Sequence, residues 1–145
     1  MIKCYLGGCM SYLYKNDEYN QATQWRVQLI KKLLELNSTL GYQQFDWFDP
    51  TLNFIDNVQV ANNKTVLHQN KYYLDQCDIL IVNLDHINQS MGTLYEVFYC
   101  QIKGKPVIAF GDARWVNNPH LAESITIKLD TLDDVVQYLE SYYAQ

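Results

Sequence analysis

Two patterns of apolar residues alternate along the chain. Short continuous apolar runs predict five strands, at residues 2–6, 45–48, 79–84, 105–110 and 124–128. Between these runs, apolar side chains spaced three or four residues apart predict helices at residues 22–34, 64–77 and 93–103, and a closing helix from residue 131. The first helix is expected to stop before the turn-prone segment at residues 37–41, and a long polar connection is expected between the second strand and residue 63.

Alternating strands and helices predict a single α/β domain over residues 1–145. The expected architecture is a three-layer, Rossmann-like (flavodoxin-like) fold with a mainly parallel sheet of about five strands and right-handed crossovers. In open parallel sheets, ligands bind outside the carboxyl ends of the strands. The segments LGGCMS, FDP and DHINQSMGT follow the first three predicted strands, so we expect the candidate site to form where they meet.

The charge and composition of the chain narrow the classes of partner. Hydrophobic residues make up 48% of the chain and the formal net charge is -5. The longest basic cluster is Lys31-Lys32, so binding to a nucleic-acid polymer is disfavoured, although backbone amides at a helix start can still bind a small anion. No segment has the length and apolar character of a membrane span, and the amino terminus has no sustained apolar region. We therefore expect a cytoplasmic protein with no membrane partner.

Metal and cofactor motifs are missing from the sequence. The four cysteines form no Cys-x-x-Cys pair, which favours buried free thiols over a zinc site or a disulfide framework. The three histidines lack metal-ligand spacing, and neither Gly-x-Gly-x-x-Gly nor a Gly-x-x-x-x-Gly-Lys-Ser/Thr phosphate loop occurs. We expect neither a metal nor an organic cofactor.

The segment SMGTLYE, at residues 90–96, offers two interpretations of Glu96. Thr93 and Glu96 have the spacing of a capping box, in which each side chain bonds the backbone N–H of the other residue. That role requires no chemistry. The alternative is that the carboxylate acts as a nucleophile, because it follows the most apolar predicted strand, where ligands of such folds bind.

Several pieces of the sequence resemble one enzyme family in their order and spacing. These pieces are CYLGG, the pair Trp25-Arg26, FDP, DILIVNLD and GTLYEVFYCQIKGKPVI. Together they resemble the nucleoside 2-deoxyribosyltransferases and the related nucleotide N-glycosidases. The resemblance implies that Glu96 attacks the anomeric carbon of a nucleoside, expels the base and forms a covalent glycosyl-enzyme, which a second base or water resolves. It also implies that Tyr5 holds the carboxylate in position.

The same resemblance implies a set of substrate-binding residues and a way of assembly. The substrate is expected to be a small nucleoside or nucleotide, and the protein a homodimer or higher homo-oligomer, with a surplus of tyrosines compatible with an interface. The expected substrate-binding residues are Gly7, Gly8, Asp49, Asn70, Asp85, Ser90, Met91, Gly92 and Thr93. Asp49 and Asp85 belong to this set because each lies at the carboxyl end of a predicted strand. Asp49 can instead form the turn before Pro50, which is the favoured interpretation, and Asp85 can orient the loop that follows it.

Two positions depart from the pattern of the transferases. Ser90 stands where they carry an aspartate that contacts the sugar; the hydrolytic relatives carry serine there for a 5′-phosphate, although Ser90 can also simply begin the turn. Asn70 stands where the family places an aspartate that protonates the leaving base, which an amide cannot do. Either His68 or Asp75 replaces that acid, or the base leaves without it, or the activity is lost.

Two functions follow as hypotheses. The first is an enzyme that cleaves an N-glycosidic bond through Glu96, by hydrolysis or by transfer to another base. The second is a catalytically degenerate module that binds or senses a nucleotide. This hypothesis is suggested by Asn70, which stands where the family places an acid. Arg26, in the first long helix, can reach an acidic site residue or a ligand phosphate, or can be solvated.

Overall fold

The first strand of the chain lies near the middle of a five-stranded parallel sheet. The computed structural model describes residues 1–53 and 63–145. In that part of the chain the sheet has the order β2-β1-β3-β4-β5. The strands are β1 (Ile2–Gly7), β2 (Phe45–Phe48), β3 (Ile79–Asn83), β4 (Val107–Phe110) and β5 (Ile127–Lys128). All four pairings are parallel, so the carboxyl ends of the strands lie along one edge, as predicted.

Helices cover both faces of this sheet. They are α1 (Ser11–Lys15), α2 (Tyr19–Leu40), α3 (Asn63–Gln76), α4 (Met91–Ile102), α5 (Pro119–Ser124) and α6 (Leu132–Tyr143). One apolar cluster joins the sheet to α2 and α6, and a second joins the other face to α3 and α4. Every residue of β3 is buried, because the strand is covered on both faces. The three-layer α/β prediction is therefore confirmed.

The helix α2 is longer than its sequence predicts. The expected stop before residue 37 is wrong, because the helix continues to Leu40 and ends at Gly41, whose φ of 81° is left-handed. Asn37, although turn-prone, is held in the helix by tertiary hydrogen bonds. Its side-chain amide donates to the Phe45 carbonyl (2.9 Å), and its oxygen accepts from the Phe45 backbone N–H (3.0 Å). These bonds fix the start of β2 against α2.

The start of α4 also differs from its prediction. The helix begins at Met91 with Ser90 as its N-cap, so Glu96 lies in the second turn and the interpretation of Thr93 and Glu96 as a capping box is wrong. The closing helix does have a capping box, between Thr131 and Asp134.

The short helices α1 and α5 were not predicted, although Asn118 and Pro119 are typical of a helix start. Pro50–Asn53 form a 3-10 turn, and the rest of the expected polar connection lies outside the described residues. All four cysteines are buried free thiols, as expected. Within residues 1–53 and 63–145, no helix is both long and apolar enough to cross a membrane.

Candidate active site

A cavity of about 640 Å³ opens at the carboxyl ends of the first three strands. Its walls come from β1 and the loop behind it, from the end of β2, from α3 and from the start of α4. Eight of the predicted site residues line it, namely Tyr5, Gly8, Asn70, Ser90, Met91, Gly92, Thr93 and Glu96. The edge of the sheet that the sequence indicated is therefore the edge that carries the pocket.

Glu96 and Tyr5 form a buried pair at this pocket. Glu96 is 7% exposed and Tyr5 is 1% exposed, and the Tyr5 hydroxyl donates a hydrogen bond to the Glu96 carboxylate. The second carboxylate oxygen, Oε2, has no hydrogen-bond partner among the described residues. A buried, unpartnered carboxylate oxygen is energetically unfavourable for the folded protein, and such groups are characteristic of functional sites.

Burial also sets the protonation of Glu96. Loss of water raises the pKa of Glu96 to about 7, against the opposing effects of the Tyr5 hydrogen bond and of the Arg26 charge. The phenol pKa of Tyr5 is raised as well, first by burial and then by the negative charge of Glu96. Glu96 lies in the second turn of α4, so the positive end of the helix dipole, whose effect falls off within the first turn, does not keep its carboxylate ionised.

The start of α4 forms one wall of the pocket. Ser90 Oγ and Thr93 Oγ1 are 2.6 Å apart and share a hydrogen bond, and Ser90 Oγ also accepts from the Thr93 backbone N–H (3.4 Å). Ser90 therefore does begin the helix. It also lines the pocket, together with Met91 and Gly92, so its capping contact does not remove it from the site.

Two predicted carboxylates do not lie on this lining. Asp49 is buried, accepts hydrogen bonds from the backbone N–H (2.9 Å) and hydroxyl (2.6 Å) of Thr51, and pairs with Arg26 at 3.7 Å. Asp85 accepts from the backbone N–H of Asp112 (2.8 Å) and so holds the loop after β4. The structure does not bring either carboxylate into the pocket with Glu96, and gives both of them contacts that support neighbouring backbone.

The sequence of the chain matches a known family over most of its length. Residues 5–125 match the family described as nucleoside 2-deoxyribosyltransferase. The chain belongs to that family. A search of curated proteins gives no match. Membership of this family supports glycosyl transfer as the general chemistry of the protein and is compatible with binding of a nucleoside.

Solved structures support the same fold. A conserved protein from Enterococcus faecalis V583 is similar with a TM-score of 0.69 and 17% identity, over 97% of this chain and 98% of that one. A 2-deoxyribosyltransferase from Bacillus psychrosaccharolyticus is similar with a TM-score of 0.68 and 19% identity, over 94% of this chain and 91% of that one. At these identities the two likenesses show the shared fold.

Both positions that depart from the transferase pattern, Ser90 and Asn70, line the pocket. Asn70, on α3, lines the cavity. The two candidates for its missing acid do not: His68 lies on an open depression with Lys64, and Asp75 accepts a hydrogen bond from the Tyr99 hydroxyl. Among the described residues, therefore, neither His68 nor Asp75 lines the pocket beside Asn70. No three His, Cys, Asp or Glu side chains of the described residues gather as a metal site.

Sequence reasoning missed the aromatic wall of the pocket. The rings of Phe48 and Tyr73 stack with centroids 4.0 Å apart and planes 13° apart, and Tyr5 lies 5.4 Å from Phe48. Both Phe48 and Tyr73 line the cavity. Phe48 was interpreted only as a strand residue, and Tyr73 lies on a helix with a weak apolar pattern. A flat aromatic surface of this kind suits a nucleobase of this family's substrates.

The pocket also depends on glycine at the end of β1, which gives a first prediction. A Cβ at Gly8 would lie 3.0 Å from Trp25 Cζ2 and 3.3 Å from Arg26 Nη2, so Gly8→Ala is expected to destabilise the fold by about 1–3 kcal/mol. Gly92→Ala is the matched control, because its Cβ would meet nothing within 4 Å. Urea unfolding measures both variants, and a Gly8→Ala protein as stable as wild type would contradict the close packing.

Proposed function

We propose that the protein cleaves the N-glycosidic bond of a nucleoside through a covalent glycosyl-enzyme on Glu96. The observation that carries the proposal is the buried Glu96 carboxylate at the pocket, with Tyr5 on one oxygen and no partner on the other among the described residues. A carboxylate held in this way has one oxygen oriented and one available for attack. Capping no longer competes as an explanation for Glu96, because Ser90 caps the helix.

The proposed reaction has two steps. A Glu96 oxygen forms a bond to the anomeric carbon while the carbon–nitrogen bond breaks, and the electron pair of that bond leaves with the base. The base takes its proton from solvent, since Asn70 cannot supply one. Water or a second base then attacks the same carbon and releases a proton to solvent, the ester bond breaks, and the Glu96 carboxylate is regenerated.

The lining favours a neutral nucleoside over its 5′-monophosphate. None of the lining residues that the structure describes is Lys, Arg or His, and residues 54–62 contain none of these either. The start of α4 and the Ser90 hydroxyl are features that favour a phosphate, because helix starts bind anions. Because the described lining offers no cation to pair with a phosphate, we expect the helix start and the Ser90 hydroxyl to stabilise a bound phosphate too little to make the monophosphate the preferred substrate. Monophosphates therefore belong in the assay as the competing substrate class.

The function is tested by chromatography of released base. The panel contains ribonucleosides, 2-deoxyribonucleosides and their 5′-monophosphates, each with and without a competing free base. Release that requires no second base indicates hydrolysis, whereas formation of a new nucleoside indicates transfer. No release from any member of the panel would contradict the proposed function.

The hydrogen bond of Tyr5 gives a second prediction. Tyr5→Phe removes the donor that lowers the pKa of Glu96, so the activity is expected to fall by about 10- to 100-fold. The acidic limb of kcat/KM should also move to higher pH, because ionised Glu96 is the reacting form. Tyr42→Phe is the control, since Tyr42 is exposed and is not one of the tyrosines considered for an interface. Unchanged kinetics in Tyr5→Phe would remove Tyr5 from the mechanism.

A binding module is the second candidate function, and Asn70 in the pocket is the observation that favours it. In that case calorimetry with a nucleoside or nucleotide would show saturable binding while chromatography showed no product. Slow release of base over hours would count against this candidate.

We also propose a homo-oligomer. Among the tyrosines whose surplus is compatible with an interface, Tyr72 and Tyr142 are exposed, whereas Tyr73 stacks in the pocket wall and Tyr143 packs against the core. Two exposed tyrosines support a buried interface only modestly. Sedimentation that gave monomer alone at micromolar concentration would exclude it.

A further inference from the structure

Arg26 lies beneath the floor of the pocket and not on its lining. It projects from α2 and is 0% exposed. Its Cζ lies 4.5 Å from the centre of the Trp25 ring, and its Nε lies 3.7 Å from Oδ1 of the buried Asp49. The sequence left open whether Arg26 is solvated, and the structure excludes that. A fully buried arginine requires partners for its charge and its five N–H donors.

The guanidinium holds the backbone at the carboxyl end of β1. Its Nε donates to the Leu6 carbonyl (3.0 Å), its Nη2 donates to the Gly8 carbonyl (3.3 Å), and its Nη1 donates to the Ala22 carbonyl. Gly7 lies between the first two carbonyls, and a Cβ on it would be 3.8 Å from Glu96 Oε1. Arg26 therefore fixes the stretch of backbone that lies against the Glu96 carboxylate.

Arg26 is also the cation that acts on Glu96. Among the described residues, it is the positively charged group whose field lowers the pKa of Glu96, against the larger effect of burial. Part of that charge is offset by Asp49, its ion-pair partner. The other ionisable groups around the Glu96 end of the pocket carry no positive charge, and they are Tyr5 from β1, Tyr12 from α1, Tyr73 from α3 and Cys100 from α4.

We propose that Arg26 is a positioning residue of this site, which holds the backbone of Gly7 and Gly8 against Glu96 and supplies the charge that keeps its carboxylate able to attack. The inference rests on the proposed function, since it concerns the reaction of Glu96. Arg26 does not line the pocket and is not assigned a contact with substrate.

The test is the pH profile of kcat/KM for three variants. Arg26→Gln removes the charge, so the acidic limb is expected to move up by about one pH unit or more, a loss of about tenfold at pH 6 beyond any loss at pH 9. Arg26→Lys keeps the positive charge but loses the planar guanidinium that bonds the backbone carbonyls. The acidic limb should therefore stay near that of wild type, while kcat falls at every pH because the backbone beside Glu96 is held less well. Asp49→Asn removes the offsetting charge and should move the limb down.

A purely structural role would lower the activity of these variants without moving the limb, and that result would overturn the proposal. If Arg26→Gln does not fold, the proposal is tested by Asp49→Asn alone. An acidic limb of kcat/KM that stays at its wild-type pH in Asp49→Asn also overturns the proposal. Titration of the Glu96 carboxyl carbon by NMR, assigned with Glu96→Gln, reports the same shifts without substrate. Shifted titrations together with no base release in wild type would reject the proposed function and still support the action of Arg26 on Glu96.

Discussion

Glu96→Gln is expected to lower base release by about a thousandfold or more while leaving the fold intact. An amide oxygen is too weak a nucleophile to form the glycosyl ester, so the first step of the proposed reaction is lost. Glutamine has nearly the shape of glutamate and its oxygen can still accept the Tyr5 hydrogen bond, so the packing around residue 96 should be kept. Steady-state base release, with circular dichroism as the check on folding, measures both expectations.

The matched control is Glu140→Gln, the same substitution at an exposed position on α6. This variant should keep the activity of wild type. A Glu96→Gln protein as active as Glu140→Gln would show that the carboxylate is dispensable, and the assignment of Glu96 as nucleophile would end.

The same substitution is expected to stabilise the protein at pH 8. Burial raises the pKa of Glu96 from 4.5 to about 7, so at pH 8 wild type must hold an ionised carboxylate in a site that disfavours the charge. Glutamine carries no charge, and Glu96→Gln should raise the free energy of unfolding at pH 8 by up to about 3 kcal/mol. Stability that is lost at a functional residue is a general consequence of placing a charge where the reaction needs it.

The contribution of Glu96 to the free energy of unfolding depends on pH. A group whose pKa is higher in the folded state than in the unfolded state contributes stability below its unfolded pKa, and this contribution disappears as pH rises through its folded pKa. Glu96 therefore favours folding most below pH 4.5 and loses that effect up to about pH 7. The advantage of Glu96→Gln over wild type should shrink to less than about 1 kcal/mol at pH 5. Urea unfolding at both pH values tests this, and a constant difference would contradict the raised pKa.

The fold could be predicted because its strands are apolar on both faces. The apolar runs in β1, β3 and β4 leave little choice but a sheet covered by helices on each side. The end of α2 could not be predicted, because Asn37 is turn-prone in isolation and is kept helical by hydrogen bonds to β2. The start of α4 was misplaced because both Ser90 and Thr93 are good caps, and only the position of the preceding chain decides between them.

The residues of the site could be predicted where they belong to a local sequence motif. The motif residues around Glu96, together with Tyr5 on the neighbouring strand, come together as expected. The buried ion pair of Arg26 and Asp49 joins residues 23 positions apart, and nothing in either segment shows that both side chains are removed from water. The stacking of Phe48 on Tyr73 depends in the same way on how α3 lies against β2. Protonation of Glu96 could not be predicted either, since burial and not the helix start controls it.

The most direct test of the central claim is mass spectrometry of protein quenched during turnover of a nucleoside. We expect wild type to carry one added pentosyl unit, bound to the peptide that contains Glu96, and Glu96→Gln to carry none. A pentosyl adduct on a different residue, or base release by Glu96→Gln at the wild-type rate, would contradict a glycosyl-enzyme on Glu96.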